Sequence, residues 1–382
     1  MRLLLVTDRF PPDIGGVATS SQRTANALRR LGHEVEVLAQ TRAIPGGLVE
    51  TLETEQSLRV HRLGSYRDHD QSQLHAESFF EWRHAEARFD ALWGHYLLPS
   101  GFLAVFLAKL HGLSSVVSAR GNDVDRLVHH PGDFARLKWT LDHATAVSSV
   151  SESLARRIRV VARDGLVVHP VPNSVDLDVF ESGAPDLEWR ASLGIANDEL
   201  VLGFSGELRH KKGLSHLLDA LVQVRATRPA CLLVIGEVRP REMAELSAFA
   251  AREREAASRI VVTGHLESPA DVARAYRLID VFLVPSLWDG LPNALLEAMA
   301  CERVVVASDA GAIPEVVEHT VSGFVVPRPT LHRLGEAILE LASLDPERRK
   351  EIGLAARARV AARFTPREED AALRAVMASL SP

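Results

Sequence analysis

The 382-residue chain is expected to fold as an α/β protein of two facing, doubly wound parallel-sheet domains. Three observations lead there. Short apolar strands alternate with helical stretches through the first half. The alternation breaks over residues 171–197, where Pro172, Gly183 and Pro185 gather with several acidic residues. It then starts again. The length exceeds what one hydrophobic core ordinarily supports, which also favours two domains.

In the first half, residues 2–7 read as a strand, 17–31 as a helix ended by Gly32, and 33–39 as a second strand. Residues 58–63, 91–93, 116–119 and 144–147 continue the strands, with helical stretches between them. Residues 97–107 carry no charge, but Pro99-Ser100-Gly101 interrupts them and they fall short of the ~20 residues a membrane span needs, so a buried helix is expected. The second half gives a strand at 200–204, a helix at 214–225, a strand at 231–235 and a helix at 242–257. Strands at 260–263, 281–284, 304–307 and 324–326 follow. These elements place one domain at 1–180 and the other at 190–360, with a last helix, about 365–382, packing back on the first.

Composition excludes some functions. Apolar residues make up 46% and charged residues 25%, as in ordinary soluble proteins. A net charge of −6 gives no basic field for nucleic acid. Cys231 and Cys301 lie in apolar runs and read as buried free thiols. No Cys/His grouping has zinc spacing, and neither a metal nor another cofactor is expected. The cytoplasm is the expected location, with contact at the inner face of the membrane left open because scattered arginines form no polybasic amphipathic helix.

In an open parallel sheet the ligand crevice lies beyond the carboxyl ends of the strands, so the residues following each strand are the candidates. Gly15-Gly16 follows the first strand and precedes a helix, where glycines let an anion approach free amides. The matching loop of the second half, Gly206-Glu207-Leu208-Arg209-His210-Lys211-Lys212-Gly213, carries three cations and a histidine, suited to a diphosphate. Asp289 stands beyond the strand at 281–284, and Glu297 lies on the helix that begins near Pro292-Asn293. Here the amides at the helix start can face a phosphate while a carboxylate on the first turns accepts from ribose hydroxyls; an ordinary helix cap with one solvated glutamate is the plain alternative. His95 after the strand at 91–93, and Arg120-Gly121-Asn122-Asp123 after the strand at 116–119, are further cleft candidates; turn formation explains the Gly-Asn-Asp part equally well. Asp309-Ala310-Gly311-Ala312-Ile313-Pro314-Glu315 repeats the theme. Arg357, in the C-terminal helical region, reads as solvated. The G-x-G-x-x-G fingerprint is absent, which disfavours a dehydrogenase.

The stretch Asp289-Gly290-Leu291-Pro292-Asn293-Ala294-Leu295-Leu296-Glu297-Ala298-Met299-Ala300 resembles the E-G-x-P-x-x-x-x-E-A-M-A signature of the retaining family-4 glycosyltransferases. Pro172-Asn173-Ser174-Val175-Asp176 is similar to that family's P-N-G-V-D segment. Lys212-Gly213 matches the end of its phosphate loop, and Gly15-Gly16, His95 and Gly311…Glu315 fall in family order. The resemblance implies the GT-B fold of two Rossmann-like domains and transfer of a hexose from a nucleotide-diphosphate sugar, without metal, to a glycan, lipid-linked or small-molecule acceptor. It further implies that Glu297 binds the donor ribose, that the amides at Leu295 and Leu296, with Lys212, meet the diphosphate, and that Asp289 contacts the transferred sugar. Gly16 would lie against the phosphates, and His95 would touch sugar or acceptor. Three residues depart from the pattern. Asp289 replaces a glutamate, Ser174 replaces a glycine, and Glu207 stands where an arginine is usual, so that Arg209 is expected to supply the missing cation. A nucleotide-sugar epimerase and a non-catalytic sugar-nucleotide binding subunit are the alternatives.

Overall fold

In the computed structural model, which describes residues 1–54 and 57–380, the first strand, β1 (Arg2–Thr7), feeds two separate cores. Leu3 and Leu5 enter one, while Leu4 and Val6 enter the other. A strand's side chains alternate between faces, so a strand apolar at every position must be covered on both sides. The helix Gly16–Arg30 and the last helix, Pro366–Ala378, cover the first face through Ala25, Leu28, Leu373 and Val376. The helices His69–Glu86 and Phe102–His111 cover the second through Phe80, Leu103 and Leu107.

The chain divides into two units, Met1–Asn173 with Arg367–Pro382, and Ser174–Pro366. In the first, β2 (Glu34–Thr41), β3 (Val49–Glu53), β4 (Arg59–Gly64), β5 (Ala91–His95), β6 (Ser114–Ala119), β7 (Ala146–Ser149) and β8 (Val167–Pro170) join β1. They form an eight-stranded sheet of order β3-β4-β2-β1-β5-β6-β7-β8. Among the described residues, only the edge strand β3 runs antiparallel in this sheet, against β4. Buried Glu36 on β2 is held by Arg2 at 2.6 Å, Arg83 at 2.7 Å and His61 at 2.9 Å. Burial alone would raise its pKa, but these partners hold it well below the usual range.

The second unit holds β9 (Leu200–Ser205), β10 (Ala230–Ile235), β11 (Ile260–Val262), β12 (Val281–Val284), β13 (Val304–Ser308) and β14 (Phe324–Val326). Their order is β11-β10-β9-β12-β13-β14, and every pairing is parallel. Leu202, Val234, Leu283 and Val306 pack with Leu217 and Leu221 of the helix Leu214–Arg225. Each sheet therefore has one point where strand order reverses: between β1 and β5, and between β9 and β12. Adjacent crossovers leave on opposite faces there, which opens a crevice at the strands' carboxyl ends.

Several sequence expectations need correction. Residues 97–107 do not form one helix: a tight turn at Leu97–Gly101 precedes the helix Phe102–His111. The helix expected over 242–257 is interrupted at Glu253 (φ −123°, ψ 59°), giving Met243–Arg252 and Arg254–Ala257. Strands β3 and β8 had no counterpart in the sequence reading. Cys231 and Cys301 are buried and free, and burial pushes both thiols up to about 12. No helix among the described residues is long and apolar enough to cross a membrane.

Candidate active site

At the switch point of the second unit, the loops after β9, β12 and β13 are locked together by backbone. Gly213 has φ 83°, and a Cβ there would lie 2.2 Å from the Pro285 carbonyl oxygen. Gly311 has φ 55°, and its Cβ would lie 2.0 Å from the Asp289 carbonyl oxygen. Only glycine combines that backbone conformation with such an approach. The Leu287 N–H donates to the Lys211 carbonyl (2.9 Å), the Ala312 N–H to the Gly290 carbonyl (3.0 Å), and the Ser308 hydroxyl to the Ser286 carbonyl (2.6 Å).

This frame sets two carboxylates. Lys212 Nζ forms an ion pair with Asp289 Oδ2 across the gap between the β9 and β12 loops. The same oxygen accepts from the Ser286 hydroxyl (3.2 Å), and Oδ1 accepts from the Gly290 N–H (3.0 Å). Burial alone would raise the Asp289 pKa, yet Lys212 first, then the charge of Lys211 and the Gly290 N–H, hold it below the ordinary carboxylate value. Glu297, half-buried on the helix Asn293–Ala300, accepts from the Tyr276 hydroxyl at 2.8 Å. Burial and the nearby Glu297 push the Tyr276 pKa well up, so the phenol stays a neutral donor, and it also meets Ser205 at the end of β9. Lys212 and Glu297 thus hang from the ends of the same two strands.

The other second-unit candidates sit around them. Asn293 opens the helix and Pro292 caps it, one position outside the expected first turn. The Leu295 and Leu296 side chains are wholly buried, which leaves backbone as their polar surface. Arg209 pairs with Glu207, and Glu207 also pairs with Arg239 from the loop after β10. Arg357 is not solvated. It donates to the carbonyls of Phe180 (3.0 Å), Leu177 (3.4 Å) and Ala300, the last residue of the Glu297 helix. Arg239, Tyr276 and Ser286 escaped the sequence reading; for Arg239 the signal was its place after β10, the equivalent of loops that were read.

In the first unit, Gly15 caps the helix that begins at Gly16, where an added Cβ would meet nothing within 4 Å. His95 ends β5 wholly buried, with Nε2 2.8 Å from the Ser20 hydroxyl and no hydrogen-bond partner at Nδ1. Burial first, then the charges of Arg120 and Arg23, lower its pKa well below 6.5, so the ring is neutral. Arg120 and Arg23 both donate to the Asn173 side-chain oxygen, and Arg23 also donates to Glu369 at 3.0 Å. Burial and Arg23 bring the Arg120 pKa down to about 10. Asp123 faces backbone: it accepts from the N–H groups of Arg120 (3.0 Å), Gly121 (2.9 Å) and Val124 (3.2 Å), while burial raises its pKa. Asn122 opens the helix Asn122–Leu127; its side chain lies outside the described residues. A cavity of about 660 Å³ is lined by Leu74, Leu98, Phe102, Phe106 and Leu127, with Arg126, Asp133 and other polar residues around them. Among the described residues, no cluster of three or more His, Cys, Asp or Glu side chains could hold a metal ion.

Two family models match this chain: a glycosyl transferase 4-like domain over residues 15–174, and glycosyl transferases group 1 over residues 199–343. The chain belongs to the group 1 glycosyltransferases. The D-inositol 3-phosphate glycosyltransferase of Segniliparus rotundus is 28% identical over 90% of this chain and 80% of its own. Among solved structures, the sucrose-phosphate synthase of Thermosynechococcus elongatus superposes with a TM-score of 0.83 at 20% identity, covering 99% and 98% of the two chains. HepE of Anabaena in complex with UDP-glucose gives 0.80 at 18% identity, covering 99% of each. The glycosyltransferase therefore has the GT-B fold, built from two Rossmann-like units.

Proposed function

We propose that this glycosyltransferase moves a hexose from a nucleotide-diphosphate sugar to a hydroxyl of a glycan, lipid-linked saccharide or small metabolite, with retention and without a bound metal. The observation that carries the reading is the Lys212–Asp289 pair at the β9/β12 reversal, beside a helix start and the Tyr276-held Glu297. UDP-glucose bound to the similarly folded HepE supports the donor class.

Glu297 is assigned to the donor ribose, and the amides from Asn293 to Leu296, with Gly15 and Gly16, to the phosphates. The bond from the anomeric carbon to the phosphate oxygen breaks as the bond to the acceptor oxygen forms on the same face. The acceptor proton passes to the departing phosphate. Lys212 and Arg209 oppose the charge that grows on that phosphate, a contribution strongest in the transition state. Asp289 holds Lys212 and contacts the sugar; His95, through its free Nδ1, contacts sugar or acceptor, with Arg120 beside it, and Asn122 and Asp123 are assigned to the same crevice of the first unit. The apolar cavity of the first unit favours an acceptor with an apolar portion.

The test is turnover of a panel of nucleotide sugars with and without acceptor pools. Transfer that needs acceptor and conserves the anomeric configuration is expected. Conversion of the donor sugar without acceptor would instead support an epimerase.

A further inference from the structure

The β9–β10 ladder does not end with its strands. The Gly206 N–H donates to the Ile235 carbonyl (2.8 Å), the Leu208 N–H donates to the Glu237 carbonyl (3.0 Å), and Leu208 bridges Val238 in parallel. Leu208 is wholly buried and Val238 packs against the same core. Because side chains alternate along extended chain, Glu207 and Arg209 must share the opposite face with Glu237 and Arg239. The structure shows the consequence: the Glu207 carboxylate lies between the guanidiniums of Arg209 and Arg239. All three side chains are about one-third exposed, at 33%, 29% and 38%.

Two guanidiniums brought to one carboxylate leave a net positive charge, and two cations side by side are stable only with an anion between them. The pair also stands at the head of the run that ends in Lys212, since the Lys212 N–H donates to the Arg209 carbonyl at 2.9 Å. Planar guanidinium forks suit phosphate oxygens as well as carboxylate oxygens, and a doubly charged phosphate competes for them favourably. Glu237, exposed on the same face, adds an opposing charge but has no ion pair with either arginine.

The geometry points to Arg239 as a further diphosphate-binding residue, and to Glu207 as an internal anion that occupies Arg239 and Arg209 until the phosphates of the donor replace it. This rests on the nucleotide-sugar reading of the second unit. It makes donor binding an exchange of anions on a two-arginine site, not the filling of an unpaired one.

The experiment is calorimetric titration of the full chain with UDP, GDP and ADP, and with the matching nucleosides, for wild type, Arg239→Gln, Glu207→Gln and Lys212→Ala. Unfolding temperatures check that each variant is folded. Arg239→Gln should weaken the best-bound diphosphate at least tenfold and leave the nucleoside unchanged. Glu207→Gln should tighten the diphosphate at least threefold, because the competing anion is gone. If Lys212→Ala weakens binding while Arg239→Gln stays within twofold of wild type, the inference falls and the donor reading stands. A weaker diphosphate in Glu207→Gln makes Glu207 an orienting group and overturns the competition. Should no diphosphate bind wild type, or Lys212→Ala change nothing, the donor reading falls and takes the inference with it.

Discussion

The Tyr276 hydroxyl donates to Glu297 Oε2 at 2.8 Å, from the helix before β12 to the helix after it. The phenol is buried completely and its pKa is pushed up, so it donates at any ordinary pH. Its removal takes away one of the holds on the carboxylate that the proposed function assigns to the donor ribose. Tyr276→Phe should therefore lower unfolding stability by about 1–2 kcal/mol and weaken UDP or GDP binding about fivefold. Paired thermal melts and titrations check this; a variant with unaltered affinity would show that Glu297 is held by other contacts.

Asp289 gives a pH-dependent signature. Its pKa in the folded protein lies below the ordinary 3.8, because Lys212, the charge of Lys211 and the Gly290 N–H outweigh the effect of burial. A depressed carboxylate stabilises the fold fully above its unfolded pKa, and that contribution is lost as pH falls through the folded value. Asp289→Asn should thus melt below wild type at pH 7, with the gap closing as the pH drops under about 4. Its Lys212, relieved of a counter-charge, should bind diphosphate more tightly at pH 7, whereas Lys212→Ala should bind about tenfold more weakly. Melts from pH 3 to pH 8 and titrations at pH 7 provide the readings.

Arg357 is tied to the helix that carries Glu297. It donates to the Ala300 carbonyl at that helix's end and to the Phe180 and Leu177 carbonyls beyond. Arg357→Ala leaves carbonyls short of a charged donor and should cost about 2 kcal/mol of stability. Glu297→Ala should cost less stability and far more nucleotide affinity. Lys350, whose side chain is 67% exposed, is the solvated control. Denaturant unfolding compared with UDP titration separates the two kinds of effect.

The strand-and-helix alternation was readable because strands buried on both faces, such as β12 and β9 as far as Phe204, run apolar from one position to the next. Both begin at the residue where the sequence places them, as does the helix at Leu214. β3 was invisible for the opposite reason: Val49–Glu53 is exposed throughout and gains its identity only from antiparallel pairing with β4. The break at Glu253 has no glycine or proline to announce it. Within the site, strand ends announced Lys212, Asp289 and Glu297. Their partners were hidden because partnership is tertiary: Tyr276 precedes Glu297 by 21 residues, and Glu207 and Arg239 are joined only by the β9–β10 ladder. Arg357 read as solvated because one helical residue among arginines and alanines carries no sign of the carbonyls opposite it.

Gly311 is the last point of leverage. Its φ of 55° strains any side chain, and an added Cβ would sit 2.0 Å from the Asp289 carbonyl oxygen and 2.8 Å from that of Gly290. The clash is with backbone, so relief requires the 285–290 loop to move, and with it Asp289 and the end of Lys212. Gly311→Ala should lose about 2–4 kcal/mol of stability, the range for combined overpacking and backbone strain. The surviving folded fraction should also lose transfer activity, because Asp289 leaves its place between Lys212, Ser286 and the Gly290 N–H. Gly32→Ala is the control, since Gly32 also has positive φ, at 89°, but its Cβ would meet nothing within 4 Å. Comparable stability loss in both variants, with activity lost only in Gly311→Ala, would attribute the functional effect to the displaced loop; equal loss of activity in both would remove Gly311 from the account of the site.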